Sequence, residues 1–212
     1  MDQVVYNGKV RFRKAGEKRI RGRPREFDTD VALEHAMRVF WLRGYLGTSV
    51  SDLTEALGIN RASLYAAFGS KDELFLAALD RYGSGPSAFA GTALDEPTAY
   101  RVVEAILRGV VEMTSSPLNP RGCLWVRGLL SGGNDDAMKR ELVARRRPDE
   151  AALVKRFKRA VADGDLPADR DAVALTQYVT TVNFGLAVQA VKGSSRAELS
   201  RVVDAVLRSW PP

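Results

Sequence analysis

From residue 28 to residue 207 the apolar side chains recur at the three-and-four spacing of one helix face, and no alternating segment of real length interrupts them. That periodicity confines the chain to packed helices, and the breaks in it locate their ends. Leu33, Ala36, Met37 and Phe40 form a first stripe behind possible caps at Asp28 and Thr29, stopped at Gly44. Thr48 and Ser49 offer the next N-cap, and Val50, Leu53 and Leu57 give a short second helix its buried stripe. Gly58-Ile59-Asn60 is a tight connection, with Asn60 capping a third helix through Phe68. After Gly69, Ser70 and Glu73 form a capping box for a fourth helix to about Tyr82.

Residues 83–95 are small and rich in Gly and Pro, and mark a boundary between two modules. Beyond them Pro97 suits the first turn of a helix to about Ser115, a further helix covers about Gly122 to Ser131, and a long one covers about Asn134 to Ala162, kinked at Pro148. Residues 170–192 are apolar on nearly every face, and the last helix carries Leu199, Val202, Val203, Val206 and Leu207. The expected fold is therefore all-α: a helix-turn-helix module over 28–82 and a second helical module over 96–210, preceded by an arm at 1–27.

Composition excludes several classes. At 45% hydrophobic and 27% charged the chain is globular. No run approaches the roughly 18 apolar residues of a membrane span, and the N-terminus lacks the apolar core of a secretory signal, so a cytoplasmic protein without a membrane partner is expected. Cys123 is the one cysteine and His35 the one histidine, which leaves no disulfide framework, His-based triad or multi-His metal site. Gly83-Ser84-Gly85-Pro86-Ser87-Ala88 loosely fits a dinucleotide fingerprint but follows a helix and contains Pro. With no nucleophile-base set and no metal or cofactor signature, an enzyme is not expected. The net charge of +6 is localised: residues 1–27 hold nine Lys/Arg against three Asp/Glu, and the remainder is neutral. A basic arm on a neutral body suits a polyanion.

Residues 48–71 carry the sharpest signal. Two short helices joined by a Gly-containing turn have the form of a helix-turn-helix, whose second helix enters the major groove of DNA. Here that helix is Arg61 to Phe68: Leu64 and Phe68 face inward, while Arg61, Ala62, Ser63, Tyr65 and Ala66 face out. An Arg and a hydroxyl suit guanine edges and phosphates, and the small Ala residues permit close approach. The run TSVSDLTEALGINRASLYAAFGSKDELFLAAL, with GRPREFDTDVALEHAMRVFWLRGY before it, resembles the TetR family of transcriptional regulators over about residues 22–82. The resemblance implies that Thr48 touches phosphate, that Arg61, Ser63 and Tyr65 lie in or beside the groove, and that Lys71 clamps a phosphate at the start of the fourth helix. It also implies a homodimer built on the last two helices and a ligand cavity within the second module.

Arg21-Gly22-Arg23-Pro24-Arg25 resembles the core of an AT-hook, which lies extended in the minor groove; a generic phosphate-binding arm is the other reading of Arg21, Arg23 and Arg25. Met113, Cys123, Trp125, Phe157, Tyr178, Phe184 and Ala187 are the expected cavity residues, although such residues in helices are also ordinary core. Cys123 reads as a buried inert thiol before a thiol sensor, and Arg145-Arg146-Arg147 as a solvated face. Together these readings point to a repressor of double-stranded, palindromic operator DNA, released by a small apolar effector; an effector-independent architectural DNA binder is the alternative.

Overall fold

The computed structural model describes residues 4–6, 9–11, 27–131 and 136–210. Among the described residues ten α-helices carry the architecture: α1 (Thr29–Arg43), α2 (Val50–Leu57), α3 (Arg61–Phe68), α4 (Lys71–Ser84), the short α5 (Phe89–Thr92), α6 (Ala99–Ser115), α7 (Leu124–Ser131), α8 (Asp136–Ala162), α9 (Ala172–Lys192) and α10 (Arg196–Arg208). Within the basic segment, β1 (Val4–Tyr6) pairs antiparallel with β2 (Lys9–Arg11), Val5 opposite Val10. Asn7-Gly8, a pair strongly favoured in two-residue hairpin loops, stands between them in sequence.

The first four helices start where their cap chemistry requires. Asp28 accepts from Asp30 and Val31 N–H, Ser49 from Asp52, Asn60 from Ser63 and Ser70 from Glu73, so donors orphaned at each helix start are satisfied. Ser49–Asp52 and Ser70–Glu73 are full capping boxes. α2 ends at Gly58, whose φ of 68° is left-handed; glycine adopts it without the Cβ clash other residues suffer. Trp41, Phe40, Leu53, Leu64, Phe75 and Tyr82 fill the space between these helices with no exposed surface.

The second module departs from expectation in detail. Thr98 caps α6 through its bond to Arg101 N–H, so Pro97 precedes the cap instead of occupying the first turn. α8, by contrast, is the single long helix expected, with Pro148 inside it. The 83–95 segment is not a bare linker: α4 runs to Ser84, and α5 plus a 3₁₀ turn (Ala93–Asp95) follow. In α10, Leu199, Val203 and Leu207 are buried against α6, whereas Val202 is 46% exposed; the apolar stripe read from sequence is two faces, one internal and one outward.

The two modules also share a core. Met113, Cys123, Leu124, Trp125, Val126, Met138, Leu142 and Ala187, all from the second half, belong to the same buried cluster as α1–α4. Trp41 on α1 donates its Nε1–H to the carbonyl of Gly122 at 2.9 Å. Gly122 has φ of 93°, and a Cβ there would stand 2.5 Å from a Val191 methyl, so both backbone and space demand glycine. Arg38 on α1 reaches the Leu118 carbonyl at 2.7 Å. α1 therefore touches the second module directly, as α4 does.

Candidate nucleic-acid interface and effector cavity

The turn at Gly58 joins α2 to α3, and α3 turns one face outward. Leu64 is fully buried beneath it and Phe68 packs half-buried against the core. Arg61, Ala62, Tyr65 and Ala66 are exposed and Ser63 is half-buried, so one long cation, one phenol and small side chains line the surface. Phe27, the first described residue of the body, lies with its ring 6.3 Å from that of Phe68. The basic segment thus leaves the body beside α3. Arg21, Arg23 and Arg25 lie outside the described residues, but at most about 3.5 Å of chain per residue keeps them within roughly 20 Å of Phe27.

Thr48 and Lys71 are engaged within the fold. Thr48 has no exposed surface, and its hydroxyl donates to the Gly44 carbonyl at 2.7 Å. Its side chain closes the α1–α2 turn and is not placed to reach a phosphate. Lys71 is half-buried: its ammonium donates to the carbonyls of Tyr45 and Thr48, each at 3.0 Å, and sits 4.1 Å from the centre of the Tyr45 ring. Burial lowers its pKa from the usual lysine value, with Asp72 opposing. Two of three ammonium protons being committed, Lys71 staples the α1–α2 turn to the start of α4 and retains one donor for an outside acceptor.

Asp52, which sequence reasoning did not single out, holds the other side of this turn. It accepts from Ser49 N–H at 2.9 Å and Ser49 Oγ–H at 2.7 Å, and pairs with Arg43. The Ser49 bonds, more than Arg43, hold its carboxyl at about 2. The Ser-x-x-Asp spacing, a shorter relative of Ser-x-x-Glu, was the signal that could have found it.

A partly open cavity of about 530 Å³ lies between α4, the 85–95 segment, α6, α7, α8 and α9. Met113, Cys123, Trp125 and Phe184 line it as expected from sequence. Phe157 does not: it is fully buried in the lower core, 5.8 Å from the Trp210 ring. Tyr178 is 40% exposed and stacks on the outer side of Trp210, and Ala187 is buried in the shared core. All three are set aside as cavity residues, because helical periodicity could not tell which face of α8 and α9 looks toward α4. Tyr82 lines the wall instead, its hydroxyl donating to Met113 Sδ at 3.0 Å; burial first, and Cys123 beside it, raise its pKa well above the usual tyrosine value. The reading of Arg145–Arg147 as one solvated face is also corrected. Arg145 pairs with Asp80 at 2.5 Å and Glu141 at 2.8 Å, Arg147 is exposed, and Arg146 turns into the cavity.

Comparison with known proteins agrees with this geometry. The sequence model of the family described as bacterial regulatory proteins, tetR family, matches residues 32–78. Over 197 residues the chain is 31% identical to the HTH-type transcriptional repressor ComR of Escherichia coli, covering 92% of this chain and 94% of ComR. The chain belongs to the TetR family. A solved cysteine-substituted variant of the TetR family regulator CifR, complexed with 26-bp double-strand operator DNA, is 44% identical, superposes with a TM-score of 0.83, and covers 89% of this chain and all (100%) of that one. The HTH-type regulator YezE of Bacillus subtilis is 31% identical over 188 residues, 87% of this chain and 95% of its own. As a TetR-family member the chain is a DNA-binding transcriptional regulator and not an enzyme. Among the described residues no helix is long and apolar enough to cross a membrane.

Proposed function

We propose that this protein is a repressor that binds a palindromic operator as a homodimer and leaves it when a small effector fills the cavity. The Arg61–Ala62–Tyr65–Ala66 face, exposed over a buried Leu64, carries the reading. Arg61 supplies a fork for guanine or phosphate, Tyr65 a phenol, and the alanines the clearance for the helix to enter the major groove. The arm, anchored at Phe27 beside α3, extends the footprint along the duplex.

Dimerisation follows from the outward faces of α9 and α10. Val188, Val191 and Val202 are about half exposed, and Val182, Gly185 and Val206 line a shallow groove between the two helices. A two-fold pairing of these faces would cover them in a four-helix arrangement and present two α3 helices to half-sites about 34 Å apart or a multiple of it.

The cavity is suited to report on the DNA side. Tyr82 stands both in its wall and at the end of α4, and its ring meets Trp41 edge-on at 4.8 Å. Material entering between Tyr82 and Trp125 would shift α4 and α1 together, and Lys71 at the other end of α4 ties that shift to the turn preceding α2. An effector favouring one setting of α4 and an operator favouring another would oppose each other by linkage, with coupling of about 1–3 kcal/mol typical.

The test is to select bound sequences from randomised duplexes, then titrate the best one by fluorescence anisotropy. Arg61→Ala is expected to relax preference at one operator position with a loss of about 1–3 kcal/mol. Lys71→Ala is expected to weaken all sequences alike and to flatten the salt dependence by about one unit. Selection returning no consensus would leave a sequence-tolerant architectural binder in its place.

A further inference from the structure

We propose that the effector is a small organic acid, a monoanion on an apolar body, whose carboxylate pairs with Arg146. The inference rests on the reading of the cavity as the effector site and assigns the ligand's chemistry. It replaces the wholly apolar effector expected from sequence.

Arg146 sits two residues before Pro148 on α8 and points into the cavity between two rings. Its guanidinium carbon is 5.7 Å from the centre of Trp125 and 5.6 Å from that of Phe184. Between such rings the planar fork is held in place without consuming its in-plane donors. Those donors are poorly served. Nε is buried with no hydrogen-bond partner, and the ion pair to Asp149 is long at 3.7 Å, from a carboxylate that is two-thirds (67%) exposed. A guanidinium whose side chain is only 19% exposed needs acceptors, and a carboxylate offers two in the matching bidentate geometry.

The rest of the cavity suits the remainder of such a molecule. Ile106, Val110, Met113, Leu153 and Val179 give it an apolar wall, and about 530 Å³ falls within the range of small-ligand sites. Asp95 and Glu150, also at the lining, are exposed. Solvent screens them, so they disfavour multiply charged anions more than a monoanion seated inside. A cationic ligand is the weaker fit, since the aromatic pair is already occupied by Arg146 and a second cation would meet it. Arg156 also has a buried Nε without a partner, but its Nη2 bonds the Glu96 carbonyl at 2.9 Å and it does not line this space.

Decanoate and phenylbutyrate, each beside its primary amide and its primary amine, are the probes, with binding to the full chain read by calorimetry and operator release by anisotropy. The acids are expected to bind at least about tenfold tighter than the amides. Arg146→Gln should bring acid affinity down to the amide level, and Arg146→Lys should recover only part of it. Asp149→Ala, a change at an exposed position that removes the competing carboxylate, should tighten acid binding a few-fold. Amides or amines binding as tightly as acids, no acid binding at millimolar concentration, or an Arg146→Gln variant within twofold of the native protein would each overturn the proposal. If amides or amines release the operator while acids do not, the effector reading survives and the acid assignment falls. If acids bind through Arg146 and leave operator affinity unchanged, the acid site stands and the effector reading falls.

Discussion

The pairs α2–α3 and α9–α10 are built from the same local grammar and end with opposite surfaces. Each joins two helices through a left-handed glycine, Gly58 or Gly193, and each helix start is capped by a short polar side chain: Ser49, Asn60, Asp171 and Ser195. In the first pair Leu53 and Leu64 are fully buried and the outer face carries Arg61, Tyr65 and two alanines. The second buries Leu175, Val179, Leu186, Leu199, Val203 and Leu207 and still leaves Val188, Val191 and Val202 half in water. Caps and turns thus decide where helices begin and end, while the chemistry of the outer face decides what the pair meets. A polar, clear face suits a hydrated polyanion, and a greasy one suits another greasy face.

The largest test of this contrast lies where both pairs depend on one core. Trp41→Ala removes a fully buried ring, its edge-on contact with Tyr82 and its bond to Gly122. A loss of about 3–5 kcal/mol in urea unfolding is expected, with a single transition retained. Two separate transitions would show that the head and the body stand independently.

Next in size is a charge on the greasy face. Val202→Asp is expected to leave the helical signal intact while weakening the proposed dimer by about 3 kcal/mol, read by sedimentation velocity across concentration. Leu199→Asp, one turn away but fully buried, should instead unfold the monomer. Equal behaviour of the two variants would mean that α10 has no special outward face.

Removing residues 1–25 should leave the thermal midpoint of the body nearly unchanged, since Phe27 and its contact with Phe68 remain. Operator affinity should fall most on A·T-rich flanks if Arg21 and Arg23 enter the minor groove. Equal losses on G·C-rich flanks would leave the generic phosphate-binding arm.

The smallest effect concerns acid. Asp52 is held at about 2 in the folded chain against an ordinary value of 3.8, so its contribution to stability is full above pH about 4 and drains away as pH falls toward 2. Asp52→Asn should flatten that part of the stability profile and cost less than about 1 kcal/mol at neutral pH. An unchanged acid limb would remove Asp52 from the turn's support.

What the sequence made legible follows the same division. The first four helix starts, the turn at Gly58 and the inward Leu64 came from signals within a few residues of one another. Arg146 did not, because its role depends on Trp125 and Phe184, about 20 and 40 positions away, closing around it. Nor did the inward turn of Val203 and the outward turn of Val202: adjacent valines give no clue to which of them faces α6. Thr48 was misassigned for a related reason. The resemblance carries a phosphate contact to its position, and only the fold puts the Gly44 carbonyl against its hydroxyl.

The bond from Trp41 to Gly122, with α7 packed into the same cluster as α1 and α4, bears on how such proteins can be recombined. A chimera that grafts this DNA-reading head onto a different second module would cut through a continuous core if spliced at the Gly-rich stretch before α5. The transplantable unit is discontinuous: α1 to α4 together with α7, its partner from beyond the seam.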